Sequence, residues 1–94
     1  MKFELAKGLI PLYQSGKGPY PAEVIRGFER VLTVIRNAED QRAIREFKGL
    51  RLEKLARGND EFSLRLNRQY RLIVSFITIE EEQWIRVLRI EDYH

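Results

Sequence analysis

Ninety-four residues with 44% hydrophobic content, 17 Lys and Arg, 14 Asp and Glu and no cysteine describe one soluble domain, 1–94, of net charge +3. That length buries roughly 60% or somewhat more of the unfolded chain's surface, enough for one core and too little for a second domain. The missing cysteines exclude a disulfide framework, a thiol nucleophile and a cysteine-based zinc site, and the single histidine excludes a histidine-rich metal site, so no metal or cofactor is expected.

In chain order, Phe3 to Leu5 is predicted as a short first strand, and Leu5, Leu9 and Leu12 or Tyr13 recur at helical spacing as far as Gly16. The cluster Gly16-Lys17-Gly18-Pro19-Tyr20-Pro21 predicts a turn, with Pro21 suited to the first position of a helix, where its missing N–H costs nothing. From Pro21 to about Asn37, Val24, Phe28, Val31, Leu32 and Ile35 fall on one stripe of that helix. Asp40 is placed to cap a shorter helix in which Ile44 and Phe47 share a face, with Gly49 to close it.

After Gly49 the apolar period changes to two. Leu50–Leu55, Phe62–Leu66, Tyr70–Ile77 and Trp84–Ile90 are predicted as strands, with a turn at Gly58-Asn59-Asp60 and an acidic hairpin loop at Glu80-Glu81-Glu82. A three-residue connection, Asn67-Arg68-Gln69, sets Leu66 opposite Tyr70 and gathers Phe62, Leu64, Leu66, Leu72, Val74 and Phe76 on the helix side. The same register puts Arg65 opposite Arg71 on the other face, an unfavourable pairing of like charges. Either a bound phosphate relieves it, with Ser63 and Asn67 as further donors, or each arginine pairs with an acid such as Glu53 or Glu91. The stretch from Arg42 to Arg71 holds nine Lys or Arg against four acids, an excess expected of a phosphate-binding surface or of a solvated charged face.

The one histidine, His94, follows Glu91, Asp92 and Tyr93 directly after the last predicted strand. Imidazole, with an unperturbed pKa of about 6.5, exchanges a proton near neutrality, so Asp92-Tyr93-His94 is either a site of proton transfer or a solvated tail. No Gly-rich phosphate loop, serine nucleophile elbow or zinc motif accompanies it. Met1-Lys2-Phe3-Glu4 lacks the apolar run of a signal peptide, and no segment approaches about 18 uncharged apolar residues, so a cytoplasmic protein without a membrane partner is expected.

Several of these segments together resemble the RelE-type toxins of bacterial toxin–antitoxin pairs, and among them the HigB-like branch. The matching residues are Lys7-Gly8-Leu9, Leu12-Tyr13 and Gly16, then Phe62-Ser63-Leu64-Arg65-Leu66-Asn67 with Tyr70-Arg71-Leu72, and finally Glu91-Asp92-Tyr93-His94. The resemblance implies an α+β fold, with two to three N-terminal helices on one face of a twisted antiparallel sheet of four to five strands. It implies a metal-independent endoribonuclease that cuts messenger RNA in the ribosomal A site and is blocked by a cognate antitoxin of helix-turn-helix type.

Carried over by position, Arg71 resembles the strand arginine that contacts the scissile phosphate, and Asp92, Tyr93 and His94 resemble the catalytic tail. His94 would then transfer the proton, Asp92 orient it, and Tyr93 exchange a proton or stack on a base. Arg65 and Arg71 would hold the phosphate, with Lys54 and Arg57 reaching its neighbours. Glu53 and Ala56 stand where many HigB-like members have histidine and lysine. This departure keeps open a gyrase-poisoning or non-catalytic toxin of the same fold, or a plain RNA- or DNA-binding module.

Overall fold

A computed structural model describes residues 1–57 and 60–92. Its longest helix, α2 (Ala22–Asn37), forms where the apolar stripe predicts it, and Val24, Phe28, Val31, Leu32 and Ile35 are all buried. Pro21 sits one position earlier than expected, as the N-cap, and its carbonyl accepts from Val24 N at 2.9 Å. Before it, β1 (Lys2–Leu5) leads through a 3₁₀ turn at Lys7–Leu9 into α1 (Ile10–Ser15), which Gly16 ends at φ +68°, a backbone position that favours glycine.

Asp40 caps α3 (Gln41–Glu46) as expected, its Oδ1 accepting from Ala43 N at 3.0 Å. The end of α3 differs from the expectation. The helix stops at Glu46, the chain turns at Phe47 into a 3₁₀ turn at Lys48–Leu50, and Gly49 lies within that turn. Leu50, not Phe47, therefore joins Ile44 in the core, and Phe47 is left 50% exposed.

Five strands form one sheet in the order β1-β5-β4-β3-β2, comprising β2 (Glu53–Lys54), β3 (Phe62–Arg65), β4 (Tyr70–Ile79) and β5 (Glu82–Asp92). β2 to β5 are an antiparallel meander, whereas β1 lies parallel to β5 with Phe3 opposite Ile85, so the sheet is mixed and not wholly antiparallel. Four residues at an edge carry too little pattern to state their direction. β2 is likewise shorter than Leu50–Leu55, because the 3₁₀ turn takes its first residues.

The helices cover one sheet face, and their side chains and those of Leu64, Leu66, Leu72, Val74, Ile85 and Val87 make the core. The expected hairpin register holds: Leu66 N donates to Tyr70 O at 3.0 Å, and Arg65 lies opposite Arg71. Between Ile73 and Val74 the β4–β5 register slips, with Ile73 opposite Arg89 but Val74 opposite Val87. This bulge at Leu88 reverses the alternation of β5, so that Ile85, Val87 and Ile90 all point to the core while Arg86, Arg89 and Glu91 share the other face.

Candidate functional site

The sheet face away from the helices presents Ser63 and Arg65 from β3, Arg71, Ile73 and Ser75 from β4, and Arg86, Arg89 and Glu91 from β5. The segment after β2 crosses it, and Leu55, Ala56, Arg57, Ser63, Ile73 and Glu91 line a cavity of about 410 Å³. β5 continues to Asp92, which lies opposite Tyr70, and Glu91 lies opposite Arg71. β5 thus ends at the end of the sheet where the β3–β4 hairpin turns. Tyr93 and His94, and with them the catalytic roles read from the sequence, lie outside the described residues, as do Gly58 and Asn59 of the predicted turn.

Across this face four side chains close a ring of alternating charge. Arg57 meets Glu91 at 2.6 Å and Glu61 at 3.7 Å, and Arg89 meets Glu61 at 2.6 Å and Glu91 at 2.7 Å. The hydrogen bond from Arg89 holds the Glu61 carboxyl below the usual glutamate range, that from Arg57 chiefly does so for Glu91, and the two carboxylates raise Arg89. Arg57, assigned by sequence to a substrate phosphate, is therefore engaged with two carboxylates, and Lys54 pairs with Asp60 at 3.3 Å. Glu61 and Arg89 had no assigned role. The signal for them was the spacing of Arg89 and Glu91, two apart on a strand and hence side by side on one face.

Arg71 is buried, 8% exposed, and its Nη1 donates to the carbonyls of Asn67 at 3.1 Å and Tyr70 at 3.4 Å. Arg65 Nε donates to the same Asn67 carbonyl at a long 3.4 Å. The two like charges thus converge on one carbonyl oxygen, and the carboxylate of Glu91 is given to Arg57 and Arg89. Asn67 organises the turn: its Oδ1 accepts from Gln69 N at 2.9 Å and Tyr70 N at 2.7 Å, and its Nδ2 donates to Glu23 at 2.8 Å. That donor, expected to face a phosphate, is in use within the protein. Ser63 is buried in the wall of the small cavity, and Asp92 accepts from Gln69 Nε2 at 3.0 Å.

The structure therefore brings Arg71, Arg57 and Ser63 to one end of the open face, while Asp92, opposite Tyr70 and two residues beyond the core-facing Ile90, lies at that end on the helix side of the sheet. Arg65 turns to the free edge of β3, because β2 pairs only with Phe62 and Ser63 and leaves the strand uncovered beyond them. Trp84 lies on the open face farther along β5, half-buried, with the Lys2 ammonium 5.6 Å from its ring centre. No described helix is long and apolar enough to cross a membrane.

No family model matches the sequence, and no curated protein matches it. Among solved structures, the fold is similar to that of a YoeB/ParE toxin from Agrobacterium tumefaciens, with a TM-score of 0.60 at 14% sequence identity. The match covers 100% of both chains. At this identity the likeness is one of fold: the chain has the small α+β architecture of that toxin.

Proposed function

We propose that the protein is the toxin of a toxin–antitoxin pair and acts as an endoribonuclease on messenger RNA in the ribosomal A site. What carries this reading is the β4–β5 register, which sets Glu91 beside Arg71 and Asp92 beside Tyr70 at the point where Tyr93 and His94 follow in the sequence. Likeness in fold to a YoeB/ParE toxin over the full chain supports the broader part, the toxin. The resemblance of the hairpin and tail motifs to HigB-like proteins supports the narrower part.

Cleavage through the RNA's own 2′-hydroxyl needs a base for that hydroxyl, an acid for the departing 5′-oxygen, and a cation for charge growing on the phosphate. His94 is the proton-transfer group in this mechanism, Asp92 orients it, Tyr93 exchanges a proton or stacks on a base, and Arg71 faces the phosphate. A cognate antitoxin, expected to be of helix-turn-helix type, and the ribosome with its message are the partners. One observation favours a second reading, a non-catalytic or gyrase-targeting toxin of the same fold. Glu53 and Ala56 replace the expected histidine and lysine, and the nearby cations Lys54 and Arg57 are already paired with carboxylates.

Substituting His94 separates the two. His94→Ala is expected to change stability by no more than about 0.5 kcal/mol, as surface substitutions do. Cleavage of ribosome-bound message should fall by about 10²-fold or more, the usual size of a general acid–base contribution. Undiminished cleavage by an untagged His94→Ala protein sinks the histidine mechanism. Growth inhibition without any cleavage by the wild type favours the second reading.

A further inference from the structure

Positive charge without a carboxylate partner gathers away from the ion ring, where α2, the β3–β4 turn and the 3₁₀ turn at Lys48–Leu50 meet. A cleft of about 750 Å³ there is lined by Arg26, Arg30, Arg65 and Arg68, together with Gly27, Leu66 and the half-exposed ring of Phe47. Among the described residues, none of these four arginines takes part in an ion pair. Glu23, the acid in the lining, accepts from Asn67 Nδ2. Arg30 and Arg65 have only long contacts to carbonyl oxygens, at 3.5 Å to Leu66 and 3.4 Å to Asn67.

The arrangement opposes folding, since Arg26 and Arg30 are like charges four apart on one helix. Gly27 lets them crowd further, since its missing Cβ would lie 2.4 Å from Leu66 O, and this close approach brings the helix arginines against the hairpin arginines. On the open face, by contrast, Arg57 and Arg89 alternate with Glu61 and Glu91.

We propose that this cleft binds the sugar–phosphate backbone of a single nucleic-acid strand, at a site separate from the open sheet face, with Phe47 stacking on a base. Guanidinium forks match phosphate oxygens in shape and charge, and an exposed aromatic ring among cations is the general means of holding an unpaired strand. An acidic peptide would satisfy the arginines, but it carries no planar base at each charged unit to use the phenyl face. The site goes beyond the cleavage reading and does not depend on it.

The test is binding of a fluorescent ten-nucleotide strand to the full chain without ribosomes, as 2′-O-methyl RNA, which has no hydroxyl to attack, and as single-stranded DNA. Arg26→Ala combined with Arg30→Ala is expected to weaken binding at least tenfold. It should also reduce the slope of log K against log salt by about 1.4, at about 0.7 per lost phosphate contact. Phe47→Ala should weaken binding about tenfold with the slope unchanged. Arg42→Ala combined with Arg45→Ala, an equal loss of charge on exposed α3 outside the cleft, should alter affinity by less than threefold.

All of these side chains are exposed, so circular dichroism should show every variant folded. Binding of either strand supports the site, and the tighter arm identifies its source. Equal losses from the α3 double variant and the cleft variant would reduce the effect to net charge and overturn the site. Binding of a polyglutamate peptide with no binding of either strand would overturn it in favour of a protein partner. Neither strand has a 2′-hydroxyl to attack, so binding is read independently of cleavage and a failed cleavage mechanism leaves this result standing.

Discussion

Arg71 has less than a tenth of its surface exposed and donates to the carbonyls of Asn67 and Tyr70, so it braces the hairpin turn. Its alternation in β4 predicts an arginine on an open face, whose removal would cost little. The structure keeps Arg71 on that face and adds burial, so truncation removes a buried, hydrogen-bonded side chain. Arg71→Ala is expected to lose about 1.5–3 kcal/mol, the range for hydrogen bonds made by a charged group. Thermal melting would fall by several degrees. Arg71→Met keeps much of the stem's packing and removes only the cation, so it should melt above Arg71→Ala. Growth inhibition should be lost in both if the charge serves the phosphate. An Arg71→Met protein that still inhibits growth would limit Arg71 to its structural part.

At the level of elements, two local backbone features decide how the pieces meet. Gly27 is a poor helix former, and alanine there would ordinarily add about 1 kcal/mol to a helix. Its Cβ, however, would lie 2.4 Å from Leu66 O, a backbone atom that cannot swing away. Overpacking costs about 1–3 kcal/mol, so the steric effect wins and Gly27→Ala is expected to destabilise, read as a lower denaturation midpoint at unchanged slope. The β4–β5 turn behaves oppositely. Glu80 and Glu81 hold φ of +50° and +68°, as a two-residue type I′ turn requires, without the residues that favour it. A non-glycine residue pays about 1–2 kcal/mol in the left-handed region, so Asn and Gly in place of Glu80 and Glu81 should raise stability by about 1 kcal/mol. An unchanged melting temperature would show that the turn is not strained.

Those features also show what was legible in the sequence. The α2 stripe, the Asp40 cap and the hairpin register follow from spacings of two, three and four residues, which set directly which side chains meet. Even the β5 bulge leaves a trace, since Ile85 and Val87 alternate with Arg86 and then Ile90, not Arg89, resumes the apolar set. The contact of Gly27 with Leu66, the parallel pairing of β1 and the exposure of Phe47 left no such trace. Each depends on how distant segments pack, and a lone glycine or a four-residue edge strand carries no period. For the same reason the arginines were legible as a charged stretch, while their division between a neutral ring and an unpaired cleft was not.

Across the whole molecule, the ring of Arg57, Glu61, Arg89 and Glu91 ties the segment after β2 to β3 and β5, joining parts of the sheet far apart in sequence. Glu61 and Glu91 both titrate below the ordinary glutamate value of 4.5 in the folded protein, and both return to that value on unfolding. The unfolded chain therefore binds more protons wherever pH approaches 4.5 from above, and stability falls there as pH falls. The contribution is whole above 4.5 and is lost as pH drops through the depressed folded values. Both carboxyls sit at a partly solvated surface, so salt should weaken the effect. The melting temperature of the wild type is expected to decline as pH falls through 4.5 and below, and Glu61→Gln with Glu91→Gln should begin lower at pH 7 and decline less steeply. Parallel declines for the two proteins would mean that the ring contributes nothing to acid unfolding and that other carboxylates carry it.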